Sequence, residues 1–241
     1  DLIIWPEAAI PAYYHQEQFY LNEIHNLVRQ NDTVLLTGMP VYENSTDRFF
    51  NGAIFFNDDI NFYYKQHLVP FGEYLPLKFF LQPIVDSFNI PIADFSPGDT
   101  KRPVLQSDRF NIGISICYEN IFGNEIIRSL PDADILVNIS NDAWFGDSLA
   151  PHQHLQMARM RAQETGRYLL RATNTGITSI INNKGEILDR SPQFVEATLT
   201  GTARLFNGST PYSRFGNYPI IILCILILVF TYMTSKNNRQ D

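Results

Sequence analysis

The sequence predicts an α/β domain with mixed sheets over residues 1–206, a polar linker at 207–217, and a single apolar helix at 218–234. Three observations predict it. Short β-branched and aromatic runs recur through the first 206 residues, some joined by tight polar turns. Stretches of helical spacing separate other runs, and strands that alternate with both hairpins and helices build mixed sheets. Near its end the chain carries a long apolar run without a charge.

In chain order, the strand-like runs are 2–5, 33–37, 51–56, 62–64, 110–117, 135–139, 168–172, 177–182 and 197–202, each bounded by Gly, Asn, Asp or Pro. Asn57-Asp58-Asp59 and Asn183-Lys184-Gly185 are turn chemistry and predict hairpins. Over 15–29, Phe19, Ile24, Leu27 and Val28 recur at helical spacing. The clearest helix is 151–166, with Ser148 placed to cap it, Pro151 in its first turn and Gly166 at its stop. Residues 207–217 are polar and contain Gly and Pro, as linkers do. The run 218–233 has no charge; with its flanks it makes about 18 residues, or roughly 27 Å of helix, just enough to cross a bilayer. Tyr218 and Tyr232 sit where interfacial aromatics belong, and Lys236 and Arg239 predict a cytoplasmic tail over 235–241. The domain would then face the other side, which in a bacterium is the periplasm. A buried core helix is the competing reading of this run. The chain starts at Asp1 inside an apolar run that reads as the middle of a strand, so a missing upstream part is expected.

With 241 residues, 45% hydrophobic and 18% charged, the chain has enough apolar material for a substantial core. A net charge of −7 argues against a nucleic-acid partner, which requires a basic stripe to neutralise phosphates. The two cysteines, Cys117 and Cys224, lie in separate parts and make no disulfide scaffold. A lone thiol facing an oxidising compartment is a liability unless it has a task. That singles out Cys117.

Three segments put a reactive group just after an apolar strand. Glu7 follows the run 2–5, where poor solvation would raise its pKa toward that of a useful base. Lys65 stands among aromatics in YYKQH, and Cys117 ends the tight run IGISIC. Each alone has a plainer reading: a surface glutamate, a strand-edge lysine, a small core thiol. Together they are complementary, since a thiol needs a base to ionise and a cation to stabilise the oxyanion formed after attack on a carbonyl. Other groups read more simply. His152 and His154 lack a third ligand, so they read as a polar pair at a helix start and no metal site is expected. Arg159, Arg161, Arg167 and Arg171 suit ion pairs within the fold or contacts to lipid phosphates. Tyr13-Tyr14 and Phe79-Phe80 suit core packing or a dip toward lipid.

The segments WPE at 5–7, YYKQHLVPFGEYLP at 63–76, ISICYENIFG at 114–123 and NISNDAWFGDS at 138–148 resemble the nitrilase, or carbon–nitrogen hydrolase, superfamily. Within it they resemble the apolipoprotein N-acyltransferases of bacterial envelopes, as do the long stretch 154–185 and TPYSRFG at 210–216. The resemblance implies a nitrilase-like α-β-β-α sandwich of two mixed sheets, followed here by one C-terminal transmembrane helix. It implies Glu7 as general base, Lys65 as oxyanion stabiliser and Cys117 as acyl-carrying nucleophile. Glu73 matches a second acid that supports the lysine. Tyr118 and Glu119 match the residues after the nucleophile, where a backbone N–H joins the oxyanion hole. Asn141, Asp142 and Trp144 match a loop bordering the pocket. The implied partners are a phospholipid acyl donor, an apolipoprotein acceptor bearing diacylglyceryl-cysteine, and the bacterial inner membrane, with the domain facing the periplasm; no cofactor is implied. That family carries a multi-helix membrane region and the domain's first strand upstream of WPE, and neither is expected within this chain. Two rival readings are a membrane-anchored amidase using the same three residues, and an inactive module that only holds lipid.

Overall fold

The computed structural model describes residues 1–88, 93–99 and 103–237; Arg239 and the rest of the expected tail at 238–241 lie outside them. Leu2–Ile4 (β1), Val34–Glu43 (β2), Arg48–Phe56 (β3) and Ile60–Tyr64 (β4) form a sheet in that order. In it β1 and β2 are parallel and the other pairs antiparallel. Val104–Gln106 (β5), Asn111–Ile116 (β6), Ile135–Ser140 (β7), Leu169–Thr173 (β8), Ser179–Ile181 (β9) and Ile187–Arg190 (β10) form a second sheet, ordered β10-β9-β8-β7-β6-β5. Its central strands β6, β7 and β8 are parallel and its flanks antiparallel. Both sheets are mixed, as expected.

The two-residue period of the strands sorts side chains into layers. In β2 and β3, Val34, Leu36, Ala53 and Phe55 meet Ile112, Ile114, Ile135 and Val137 of the other sheet and form the central core. The alternate residues Leu35, Met39, Ile54 and Phe56 pack under Leu21, Ile24 and Val28 of the helix Gln18–Gln30 (α1). On the far side Leu136 and Leu169 meet Leu155, Ala158 and Ala162 of a second long helix. The result is an α-β-β-α sandwich, held by apolar side chains worth about 1.5–3 kcal/mol each when fully buried.

The remaining helices are Lys78–Phe88 (α2), Gly123–Ile126 (α3), Ala150–Thr165 (α4, the second long helix), Pro211–Phe215 (α5) and Tyr218–Asn237 (α6). At α4 the Ser148 hydroxyl accepts from the Ala150 N–H at 3.3 Å, and Gly166 closes the helix in the left-handed region at φ 66°. Both expected hairpins are present, β3–β4 and β9–β10.

Three elements differ from expectation. Among the described residues, 197–202 pair with no strand; they run almost wholly exposed, so no sheet face shelters their apolar side chains, and the chain meets the core again at Ala203 and Phe206. Helix α2 escapes sequence reading because Pro83 stands inside it. The expected transmembrane helix at 218–234 is part of α6, but among the described residues no helix is long and apolar enough to cross a membrane. A span takes about 20 apolar residues, and here the run gives way to polar and charged residues after Met233. The helix is exposed on every side: residues 225–230 are consecutive and each at least half exposed.

Candidate active site

Each candidate side chain leaves the end of a strand. Glu7 follows β1, and β2 comes up against it because Gly38 has no side chain: a Cβ there would lie 2.6 Å from the Glu7 Cα. Lys65 follows β4, where its N–H donates to the Asn51 carbonyl at 2.9 Å. Cys117 follows β6 and opens a 3-10 turn over Cys117–Ile121, with its backbone at φ 50°. That left-handed conformation is strained for a residue with a Cβ and is typical of functional sites.

The sandwich gathers these ends. The Lys65 ammonium lies 2.9 Å from Glu73 Oε1 and 3.7 Å from Glu7 Oε1, and the lysine is 1% exposed. The Asn51 side-chain amide donates to both carboxylates, at 2.7 Å to Glu7 and 2.8 Å to Glu73. The Asn141 N–H donates to the other Glu7 oxygen at 2.6 Å, and Val69 N–H to the other Glu73 oxygen at 2.8 Å. A buried and a partly buried carboxylate are thus separated by one ammonium and one amide, and their other oxygens take backbone donors. Such a pair holds only when hydrogen bonds complete it.

The electrostatics follow from burial and these neighbours. Burial opposes the Lys65 ammonium, but Glu7, Cys117 and Glu73 outweigh it and hold its pKa above the ordinary lysine value. Burial pushes the Cys117 thiol up to about 12; Glu7 and Asp142 push the same way, while Lys65 and the Ser140 hydroxyl pull down. The resting group is therefore a thiol, and it must pass its proton to a base to react.

Glu119 works as a brace. One oxygen accepts from the Tyr63 hydroxyl at 2.8 Å, the Gln66 N–H at 2.6 Å and the His67 N–H at 3.2 Å; the other accepts from the Ile116 N–H at 2.7 Å. It ties the segment bearing Lys65 to the turn bearing Cys117. Burial raises its pKa against these donors. Asp142 is buried between the Ser140 hydroxyl at 2.9 Å, Arg171 at 2.7 Å and His154 Nδ1 at 3.1 Å. Burial opposes its charge, yet His154 and Arg171 hold its carboxyl below the usual carboxylate range.

Glu7, Lys65, Glu73, Cys117, Tyr118, Asn141 and Trp144 line one cavity of about 740 Å³, whose other walls include Val69, Phe71, Phe95, Ile121, Phe145 and Met157. Glu119 and Asp142 stand behind that wall. Trp144 is 79% exposed at the mouth, with Phe71 and Phe145 also exposed beside it.

Sequence reasoning missed Asn51, Ser140 and His154. Asn51 shares the inner face of β3 with Ala53 and Phe55, and a polar residue in that register was a readable signal. His154 precedes Ala158 and Ala162 on the buried stripe of α4, so it is no surface pair with His152, which is exposed. The four arginines are taken up inside the fold: Arg161 pairs with Glu164 and Arg171 with Asp142, while Arg159 and Arg167 donate to carbonyls of Gly185 and Ala133. Tyr13 packs on Phe49 and Tyr14 on Phe62, whereas Phe79 and Phe80 stay exposed.

The carbon–nitrogen hydrolase family profile matches residues 1–205. Among curated proteins the chain is 45% identical to an apolipoprotein N-acyltransferase of Methylococcus capsulatus, covering 100% of this chain and 48% of that one. It is 44% identical to one of Nitrosomonas europaea, covering 99% and 48%. The chain thus spans about half the length of the curated relatives it matches. Among solved structures, an amidase from Nesterenkonia sp. superposes with TM-score 0.61 at 17% identity, over 91% of this chain and 81% of that one. A member of branch 10 of the nitrilase superfamily from Saccharomyces cerevisiae gives 0.60 at 19%, over 80% and 73%. At these identities the structures speak for the fold alone.

Proposed function

The chain belongs to the carbon–nitrogen hydrolase family, and on that premise we propose that it transfers an acyl chain from a membrane phospholipid to the N-terminal cysteine amine of an apolipoprotein. The observation that carries this reading is the convergence of Glu7, Lys65 and Cys117 on one large, mostly apolar cavity. Pockets for small ligands run from about 300 to 1,000 Å³, and a lining of Val, Phe, Ile and Met suits an acyl chain better than a small polar amide. The likeness to curated N-acyltransferases supports the same choice.

Two half-reactions follow. The Glu7 carboxylate takes the Cys117 proton, and the thiolate attacks the ester carbonyl of the phospholipid. The Lys65 ammonium and the Tyr118 N–H, at the start of the 3-10 turn, hold the oxyanion. Collapse expels the lysophospholipid alkoxide, which takes the proton from Glu7 and leaves a thioester on Cys117. The amine of diacylglyceryl-cysteine then attacks the thioester and yields its proton to Glu7. Amide formation releases the thiolate, which recovers that proton. Glu73 and Glu119 hold the lysine and the nucleophile turn, and Asn141, Asp142 and Trp144 shape the pocket. None of these steps calls for a cofactor. Helix α6, apolar and exposed on every side, would seat the domain at the bacterial inner membrane, with the catalytic side facing the periplasm.

The test is peptide mass spectrometry of Cys117 after incubating the full chain with phospholipid vesicles. The expected result is a hydroxylamine-labile acyl mass on Cys117 that a diacylglyceryl-cysteine peptide discharges and water removes slowly. Rapid loss to water would make the protein a hydrolase. No adduct on folded protein would remove Cys117 as nucleophile.

A further inference from the structure

His154 sits at the centre of a closed hydrogen-bonded circuit around Cys117. Its Nε2 lies 3.1 Å from the Cys117 carbonyl oxygen, a partner that can only accept, so this nitrogen carries the proton. The other nitrogen, Nδ1, faces both the Arg171 guanidinium at 3.0 Å and the Asp142 carboxylate at 3.1 Å. Burial and Arg171 lower the pKa of the ring, while Asp142 and the Cys117 carbonyl pull it the other way. Arg171 and Asp142 are both fully buried and paired at 2.7 Å. Arg171 continues to Asn138, which donates to the Ser115 carbonyl at 3.2 Å, on the strand that delivers Cys117. From Asp142 a second arm reaches the Ser140 hydroxyl at 2.9 Å, a group that pulls the Cys117 pKa down. The nucleophile is thus gripped through its carbonyl.

The grip explains how a strained backbone is kept. A residue with a Cβ at φ 50° persists only when its surroundings over-determine it. The Cys117 carbonyl is turned toward α4, where the His154 N–H meets it; this contact fixes the peptide plane and with it the direction of the Cα–Cβ bond. We infer that His154 is a positioning residue for the nucleophile: through the Cys117 carbonyl it holds the thiol in line with Glu7 and Lys65. The inference rests on the reading of Cys117 as nucleophile, and its test needs no acyl donor.

His154→Gln and His154→Met are similar in volume, and only glutamine can donate to the Cys117 carbonyl. Both are made in the full chain, and alkylation by iodoacetamide at neutral pH is followed at Cys117 by peptide mass spectrometry, so that Cys224 does not interfere. With native melting in both, the methionine variant is expected to alkylate about tenfold more slowly than wild type and glutamine within about threefold of it. Equal rates in the two variants, fast or slow, would overturn the role of the donor. If the methionine variant does not fold, His154→Leu, which also lacks a donor and adds no charge, is read against glutamine in the same assay; a slowed Cys117 upholds the role of the donor and an equal rate overturns it. A wild-type Cys117 that never alkylates would take down the nucleophile reading itself and this proposal with it, whereas equal variants on a reactive wild type would take down this proposal alone.

Discussion

At the residue scale, Cys117 and Glu7 are both withdrawn from water beside other negative groups. That arrangement looks hostile to a thiolate, since burial and the Glu7 charge push the thiol up to about 12. The difficulty eases once charge is followed rather than counted. When the proton passes from sulfur to Glu7, the negative charge moves from one neighbour of Lys65 to another, and the repulsion from Glu7 disappears with its ionisation. In the proposed reaction Glu7 and Cys117 therefore act as one unit, and free Cys117 is a poor thiolate by itself. A raised pKa favours the protonated form, so the reactive fraction grows as pH rises toward that value. In the absence of substrate, the iodoacetamide rate at Cys117 is expected to climb about tenfold per pH unit past pH 10, where an ordinary thiol near 8.5 has levelled off. A plateau below pH 9 would mean that Lys65 outweighs burial.

At the element scale, the site exists because strand ends from both sheets are brought to one edge of the sandwich. The close approach of β1 and β2 at Gly38 is the narrowest point of that construction. A methyl group there would meet backbone atoms of Glu7, Ala8 and Pro6, none of which is a flexible side chain. Gly38→Ala is expected to destabilise the domain by about 1–3 kcal/mol, as overpacking does, and to lower acyl loading on Cys117 more than stability explains, because Glu7 moves. Urea unfolding alongside thioester formation checks this; unchanged loading would show that the Glu7 position tolerates the shift. The brace at Glu119 belongs to the same scale, since one carboxylate joins β6 to the segment after β4 through four donors.

At the scale of the whole molecule, a well-sorted sandwich carries an appendage of opposite character. The core alternates cleanly, while α6 presents apolar side chains in all directions. A full-sized apolar side chain left in water forgoes about 1.5–3 kcal/mol, and Ile222, Leu226, Leu228 and Phe230 are only part of the set. The exposed Phe79, Phe80 and Trp144 add apolar surface on the domain itself. Vesicle flotation of the intact chain against a version ending at residue 217 is expected to show the intact chain with the lipid and most of the shorter one left behind. If both float equally, the domain surface and not α6 is the lipid contact.

Much of this was legible in the amino-acid order because it depends on local chemistry. Period-two runs and turn residues mark eight of the strands, and Ser148, Pro151 and Gly166 mark α4. The stretches holding Glu7, Lys65 and Cys117 stand out by placing a reactive group after an apolar run. What failed was also local: Pro83 masks α2, and the apolar letters of 197–202 suggest a strand that has no partner. The partnerships inside the site were not legible at all. Asn51 bridging two acids, Glu119 bracing a turn and His154 holding a carbonyl each join groups distant in sequence, and neither periodicity nor composition records such a meeting. The sequence by itself determined most of the strands and helices, the reactive groups and an apolar C-terminal helix, since side-chain pattern dictates which faces leave water. Only the tertiary structure decided which groups touch, how Lys65 is shared and why the thiol is held high, because burial and distance between remote residues exist only once the two sheets have packed.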